Sequence, residues 1–163
     1  MDSRVGDGDT GSTVATGARS ILSRIDTLPL KDPAALMASA GEILSTSMGG
    51  SSGVLLSIFF TAASKAMAEK ADIPGLDRMT FYGGASVGDR TMVDALAPAL
   101  AVLTSGNVAG AARVAAAGAE STKAMRKAKA GRASYVGEKD LEGVPDPGAV
   151  AVANVFEVAA TLI

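Results

Sequence analysis

The chain has 163 residues, 48% of them hydrophobic and only 4% aromatic, a length that fits one domain whose interior is filled by Ala, Leu, Val and Ile. Lys plus Arg number 15 and Asp plus Glu 17, for a formal net charge of -2, and this near-balance lacks the basic excess of a nucleic-acid binder. There is no Cys and no His, which excludes disulfides, thiolate metal sites, the commonest general base and the commonest transition-metal ligand. A metal site must then be built from oxygen, which favours hard ions such as Mg²⁺, Mn²⁺ or Ca²⁺. No run of about 18 apolar residues is evident, so no membrane span is expected. The opening Met1-Asp2-Ser3-Arg4 carries no apolar leader, and a cytoplasmic protein is the default expectation.

Amphipathic helical spacing dominates and strand-like alternation is almost absent, which predicts an all-α fold. An acidic, Gly-rich opening leads into a helix over 12–26. Asp32 followed by Pro33 starts a second over 33–48, because Asp caps and Pro suits the first helical position. A Gly- and Ser-rich turn precedes a third over 53–70. Between Ala71 and Tyr82 the chain is marked by Pro and Gly, with one turn of helix around Leu76–Thr80. Helices over 90–104 and 108–129 follow. The polar segment 130–146 reads as a long surface loop, a kind of loop that often carries function. Asp146-Pro147 repeats the capping device and starts a last helix over 147–162.

Glycine is the informative residue. Nineteen are present, and clusters at Gly6, Gly8 and Gly11, at Gly49, Gly50 and Gly53, and at Gly83, Gly84 and Gly88 each precede a predicted helix. A helix N-terminus offers unpaired N–H groups and partial positive charge, and glycine lets an anion approach the backbone. These openings are expected to converge on one anionic ligand.

Four constellations carry candidate chemistry. In the first, Asp2, Asp7 and Asp9 crowd three carboxylates among glycines just before Thr10-Gly11-Ser12-Thr13, and like charges so close repel unless a cation sits among them. A helix cap with spare acids is the plainer alternative. A calcium-binding EF-hand is excluded, because the twelfth position from Asp7 is Ala18 where a bidentate Glu is required. The second, Met48-Gly49-Gly50-Ser51-Ser52-Gly53, is a phosphate cradle with two hydroxyls, or a close helix contact. It lacks the Lys of a Walker A loop. In the third, Gly88-Asp89-Arg90-Thr91-Met92, Asp89 is expected to cap the next helix, and Thr91 and Met92 to line a nucleotide pocket. The fourth places Arg132 in a Gly-flanked loop, either solvated or a phosphate clamp whose planar fork suits paired oxygens, upstream of Asp146-Pro147-Gly148.

In this order the strings VGDGDTGST, MGGSSGVLLSIFFTAA, FYGGASVGDRTMVDAL and GRASYVGEKDLEGVPDPGA resemble the ATP-binding domain, the L domain, of dihydroxyacetone kinases, over nearly the whole chain. Thr10 stands where the branch fed by a phosphoenolpyruvate phosphotransferase system tends to carry His, so the wording resembles the single-chain, ATP-using branch. The resemblance implies an antiparallel α-helical barrel of about eight helices, with the nucleotide held in loops at one end. It implies that Asp2, Asp7 and Asp9 bind two Mg²⁺ ions, and that Thr10, Gly11, Ser12 and Thr13, with Ser51 and Ser52, contact the phosphates of ATP or ADP. Leu55, Gly83, Met92 and Pro147 would border adenine and ribose. Arg132 would reach phosphate oxygens, and Asp146, Pro147 and Gly148 would close the pocket.

The same resemblance implies a kinase that donates the γ-phosphate of Mg-ATP to a dihydroxyacetone-like substrate, with a separate substrate-binding K domain as partner and a homodimer as assembly. In that family the substrate is held covalently by a His, and this chain has none. No catalytic residue for the acceptor side is therefore expected here; those residues belong to the other domain. The family's domain also begins with a helix ahead of the first Asp, so a fragment lacking that helix is expected. The alternatives are an ADP-carrying, non-catalytic subunit of a phosphorelay, a fatty-acid-kinase-like domain, against which the GGSSG, GDRTM and GRASY strings argue, and an all-helical structural module.

Overall fold

The structure is a computed structural model that describes residues 8–69 and 75–162. As predicted, it is all-helical, with no strand among the described residues. In chain order the helices are α1 (Thr10–Leu22), α2 (Pro33–Ser47), α3 (Gly50–Glu69), α4 (Gly75–Gly83), α5 (Val93–Leu103), α6 (Val108–Ser121), α7 (Glu138–Leu141) and α8 (Pro147–Thr161). Short 3-10 turns occupy Ile25–Thr27, Thr122–Ala124 and Arg132–Tyr135. The helix α4 was expected as a single turn and runs for nine residues. The segment expected as loop over 130–146 holds a 3-10 turn and α7. The helix expected over 108–129 stops at Ser121.

The chain divides into two compact units, Ser12–Gly84 and the described parts of Met1–Gly11 with Ala85–Ile163. In the Ser12–Gly84 unit, α2 starts as its sequence dictates: Asp32 Oδ1 accepts the Ala35 N–H at 3.0 Å and Pro33 takes the first position. Close crossings are then made at glycines. A Cβ on Gly17 of α1 would lie 2.6 Å from Met48 Sδ, and one on Gly41 of α2 would lie 3.0 Å from Thr61 Oγ1 of α3. The core is Ile43, Leu44, Met48, Ala63, Ala66 and Met79. By length and composition α3 is apolar enough to cross a membrane, with a mean hydropathy of 1.3, contrary to the expectation that no such stretch exists. It packs against both α2 and α4, with 17% of that apolar window buried.

The second unit is built on alanine. Ala95 and Ala99 of α5, Ala111 and Ala115 of α6 and Ala149 of α8 are completely buried, in clusters edged by Val102, Val114, Val150 and Phe156. Asn107 caps α6, its Oδ1 accepting the Gly110 N–H at 2.8 Å. A close helix approach lies at Gly118 of α6, where an added Cβ would collide with the Asp94 carbonyl oxygen and lie 3.0 Å from Ala95 Cα of α5.

That contact decides a sign. Gly→Ala inside a helix ordinarily stabilises by up to about 1 kcal/mol, whereas overpacking against atoms that cannot move costs about 1–3 kcal/mol. The opposing atoms here are backbone, so Gly118→Ala should destabilise, read as a lowered midpoint of urea denaturation. A raised midpoint would mean that the α5–α6 crossing relaxes freely.

Candidate functional site

Of the acidic turn, Asp2 and Asp7 lie outside the described residues. Asp9 is exposed and immediately precedes α1, after Gly8 in the left-handed region at φ 80°. Because α1 begins two residues earlier than expected, Thr10, Gly11, Ser12 and Thr13 form its first turn. A Cβ on Gly11 would meet nothing within 4 Å among the described residues. Among the described residues no group of three His, Cys, Asp or Glu side chains is placed to hold a metal. An oxygen-only donor set built on aspartates fits Mg²⁺ and not a softer ion.

The Gly-Ser turn bears out the close-packing reading at Gly53. The helix α3 starts at Gly50, with φ 69°, three residues before its predicted start, and this puts Ser51 and Ser52 in its first turn. Gly53 serves packing: a Cβ there would run into the Met48 carbonyl. At Gly49 and Gly50 an added Cβ would meet nothing within 4 Å among the described residues. One turn further along α3, Leu55 packs on Gly83 at the end of α4, where an added Cβ would stand 3.1 Å from Leu55 Cδ2. Two residues expected to border adenine are thus neighbours. Gly84, at φ 64°, ends α4 by donating its N–H to the Thr80 carbonyl at 2.8 Å, a left-handed helix stop.

The third constellation differs from expectation in its capping. Asp89 does not cap α5, which begins only at Val93. Asp89 accepts the Ser86 N–H at 2.8 Å and pairs with Lys129 Nζ at 3.0 Å; these two contacts, in that order, hold its carboxyl below the usual range. The helix start belongs to Asp94, buried at 3% exposure. Its Oδ1 accepts the Gly88 N–H at 2.6 Å and its Oδ2 the Thr91 N–H at 2.8 Å, while Thr91 Oγ1 accepts the Val93 N–H at 3.2 Å. The Asp94 carboxylate reaching back to the Thr91 N–H is one half of a capping box. The Thr91-x-x-Asp94 spacing was its signal in the sequence, and the more conspicuous Asp89 masked it.

Between those two aspartates, Arg90 is a non-glycine residue in the left-handed region, at φ 59°, with a side chain at 0% exposure. Its Nη2 donates to the Val144 carbonyl at 2.7 Å, and Nη1 lies 4.0 Å from Asp146 Oδ2. Nε and Nη1 have no hydrogen-bond partner among the described residues. Burial draws the guanidinium below its usual value, opposed by Asp146, and burial raises Asp146, opposed by the Ala149 N–H and Arg90. Asp146 caps α8 as expected, with Oδ1 accepting the Ala149 N–H at 2.8 Å, and its own N–H donates to Thr122 Oγ1 at 2.7 Å. Pro147 takes the first helical position. A Cβ on Gly148 would lie 3.3 Å from Met92 Cβ, so Met92 and the Pro147-Gly148 turn form a second neighbouring group.

The Arg132 side chain lies outside the described part of the structure. Its backbone opens the 3-10 turn Arg132–Tyr135 after Gly131 at φ 73°. Ala133, beside it, is buried in a small cluster with Ala128, Leu141 and Val144, so this region has its own apolar centre.

Residues 4–161 match the model of the DAK2 domain. A dihydroxyacetone kinase of Citrobacter freundii is 51% identical over 98% of this chain. The crystal structure of the native C. freundii dihydroxyacetone kinase superposes with a TM-score of 0.85 at 47% identity, covering 99% of this chain and 30% of that one. Its complex with AMP-PNP and Mg²⁺ gives a TM-score of 0.82 at 47% identity, covering 99% and 29%. The chain spans 31% of the length of the kinase relative it matches. It belongs to the DAK2-domain family.

Proposed function

We propose that this chain is the nucleotide-binding half of a dihydroxyacetone kinase, the L-domain part, which holds Mg-ATP and presents its γ-phosphate to a small ketose or triose on a separate substrate-binding domain. The observation that carries this reading is the likeness, at 47% identity, to a dihydroxyacetone kinase crystallised with AMP-PNP and Mg²⁺. In this reading Asp2, Asp7 and Asp9 hold two Mg²⁺ ions. Bound there, the metal supplies neutralisation of β- and γ-phosphate charge, the main demand of phosphoryl transfer.

The chain's own residues then bind and orient. The first turn of α1 places the hydroxyls of Thr10, Ser12 and Thr13 beside Asp9, with Gly11 leaving room for an anion. Ser51 and Ser52, in the first turn of α3, offer the same chemistry. Leu55 with Gly83, and Thr91 and Met92 with Pro147 and Gly148, supply close, largely apolar surfaces suited to adenine and ribose, and Asp146 fixes the latter turn. Arg132 supplies a charged fork for phosphate oxygens. With no His in the chain, a covalent hold on the sugar and any general base belong to the partner domain. A cytoplasmic homodimer completes the proposal.

Two measurements test it. Asp9→Ala should abolish Mg-dependent binding of ATP, measured by calorimetry, while the helical circular dichroism signal stays intact; unchanged ATP affinity would defeat the metal site. Arg132→Ala should weaken ATP by roughly ten- to a hundredfold, the worth of a hydrogen bond to a charged group, and leave adenosine nearly unaffected. Equal weakening of both would show that Arg132 does not bind phosphate.

A further inference from the structure

We infer that the turn Ser86–Met92 positions nucleotide-binding elements through two residues that touch no nucleotide themselves: Arg90 holds the Asp146–Gly148 turn, and Asp89 holds the loop that carries Arg132. The inference rests on the function proposed above and adds to it a pair of positioning residues.

The argument for Arg90 is one of chemistry out of place. A buried guanidinium is costly unless paired and bonded, and a non-glycine residue at positive φ adds backbone strain. A hydrophobic side chain at this position would avoid the first penalty and a glycine the second. What the arginine supplies instead is reach. Its Nη2 bonds the Val144 carbonyl at 2.7 Å and its Nη1 stands 4.0 Å from Asp146 Oδ2, so one rigid fork spans the two residues that flank Pro145. Asp146 is held a second time, by Thr122 Oγ1 at 2.7 Å from its N–H. The turn entering α8 is thereby fixed from two sides, and Gly148 is set against Met92. Lysine, a point charge on a flexible stem, cannot reproduce that fork.

Asp89 works on the neighbouring loop. Its carbonyl accepts the Lys129 N–H at 3.1 Å and its carboxylate pairs with Lys129 Nζ at 3.0 Å. Lys129 lies three residues before Arg132, and Ala128 and Ala133 on either side are buried in the same small cluster. Consecutive residues of one turn therefore anchor two loops with different proposed tasks: adenine and ribose for the Asp146–Gly148 turn, phosphate for the Arg132 loop.

That division gives a test that a merely structural role would not satisfy: titration of the full chain with Mg-ATP and, separately, with adenosine. Arg90→Lys should weaken both ligands by the same factor, about tenfold, the worth of one charged hydrogen bond. Lys129→Ala, whose side chain is 69% exposed and whose loss leaves the fold intact, should weaken Mg-ATP about two- to fivefold and leave adenosine unchanged. Unchanged binding by a folded Arg90→Lys chain, or a loss confined to Mg-ATP, overturns the inference. If Arg90→Lys fails to fold, Lys129→Ala decides: a loss confined to Mg-ATP supports the inference, and no loss or an equal loss of both ligands overturns it. An unsubstituted chain that binds neither ligand overturns the functional proposal itself, whereas binding of both by that chain leaves only the inference at stake.

Discussion

Helices in this chain meet closely over glycine and alanine. With 4% aromatic residues and no Trp, there are few large side chains to hold helices apart, and dispersion must be gathered from close contact over small residues. Gly17, Gly41 and Gly118 each occupy space where a methyl group would collide with a neighbouring helix or its side chains, and five alanines of the second unit are wholly buried. The same closeness sets the candidate nucleotide surfaces. Leu55 rests on Gly83 and Met92 on Gly148 because the second member of each pair has no side chain. A packing rule and a binding surface are here one feature seen from two sides.

Within the second unit, polar order is concentrated on the turn from Ser86 to Met92. Asp94 ties the turn to its helix through Gly88 and Thr91, Asp89 ties it to Lys129, and Arg90 ties it to Val144. Such a network rigidifies when satisfied and is expensive when broken. Its ionisable members sit in opposed environments, with Asp89 stabilised as a carboxylate by the Ser86 N–H and Lys129 and Asp146 pushed toward its neutral form by burial. Asp89 therefore contributes stability above the usual carboxylate pKa of 3.8 that is lost as pH falls through its lower folded value. Asp146 favours the folded state below that pH and loses its contribution as pH rises through its raised folded value.

Much of this was legible in the sequence, and the misses have local causes. Asp32-Pro33 and Asp146-Pro147 announced their helices because capping and a fixed φ are properties of the residues themselves. The all-α class followed from periodicity. The end of α6 was misjudged because Thr122 to Ala130 is rich in Lys, Arg and Ala, all good helix formers. Tertiary demand wins there: the Thr122 hydroxyl is committed to the Asp146 N–H and the chain must turn to bring Lys129 to Asp89. The capping role of Asp94 was overlooked in favour of Asp89, although its spacing from Thr91 was in plain view. Arg90 had no signal at all, since an arginine between two polar residues reads as solvated surface until the fold encloses it. The acidic turn, the feature most legible as chemistry, has only Asp9 among the described residues.

The left-handed backbone at Arg90 sets a local cost against a wider gain. Replacing it with glycine would relax roughly 1–2 kcal/mol of steric strain, but it would empty a fully buried site, leave the Val144 carbonyl without its donor and strand Asp146 without its neighbouring cation, losses that outweigh the relief. Position 90 is where this fold accepts backbone strain to keep its brace.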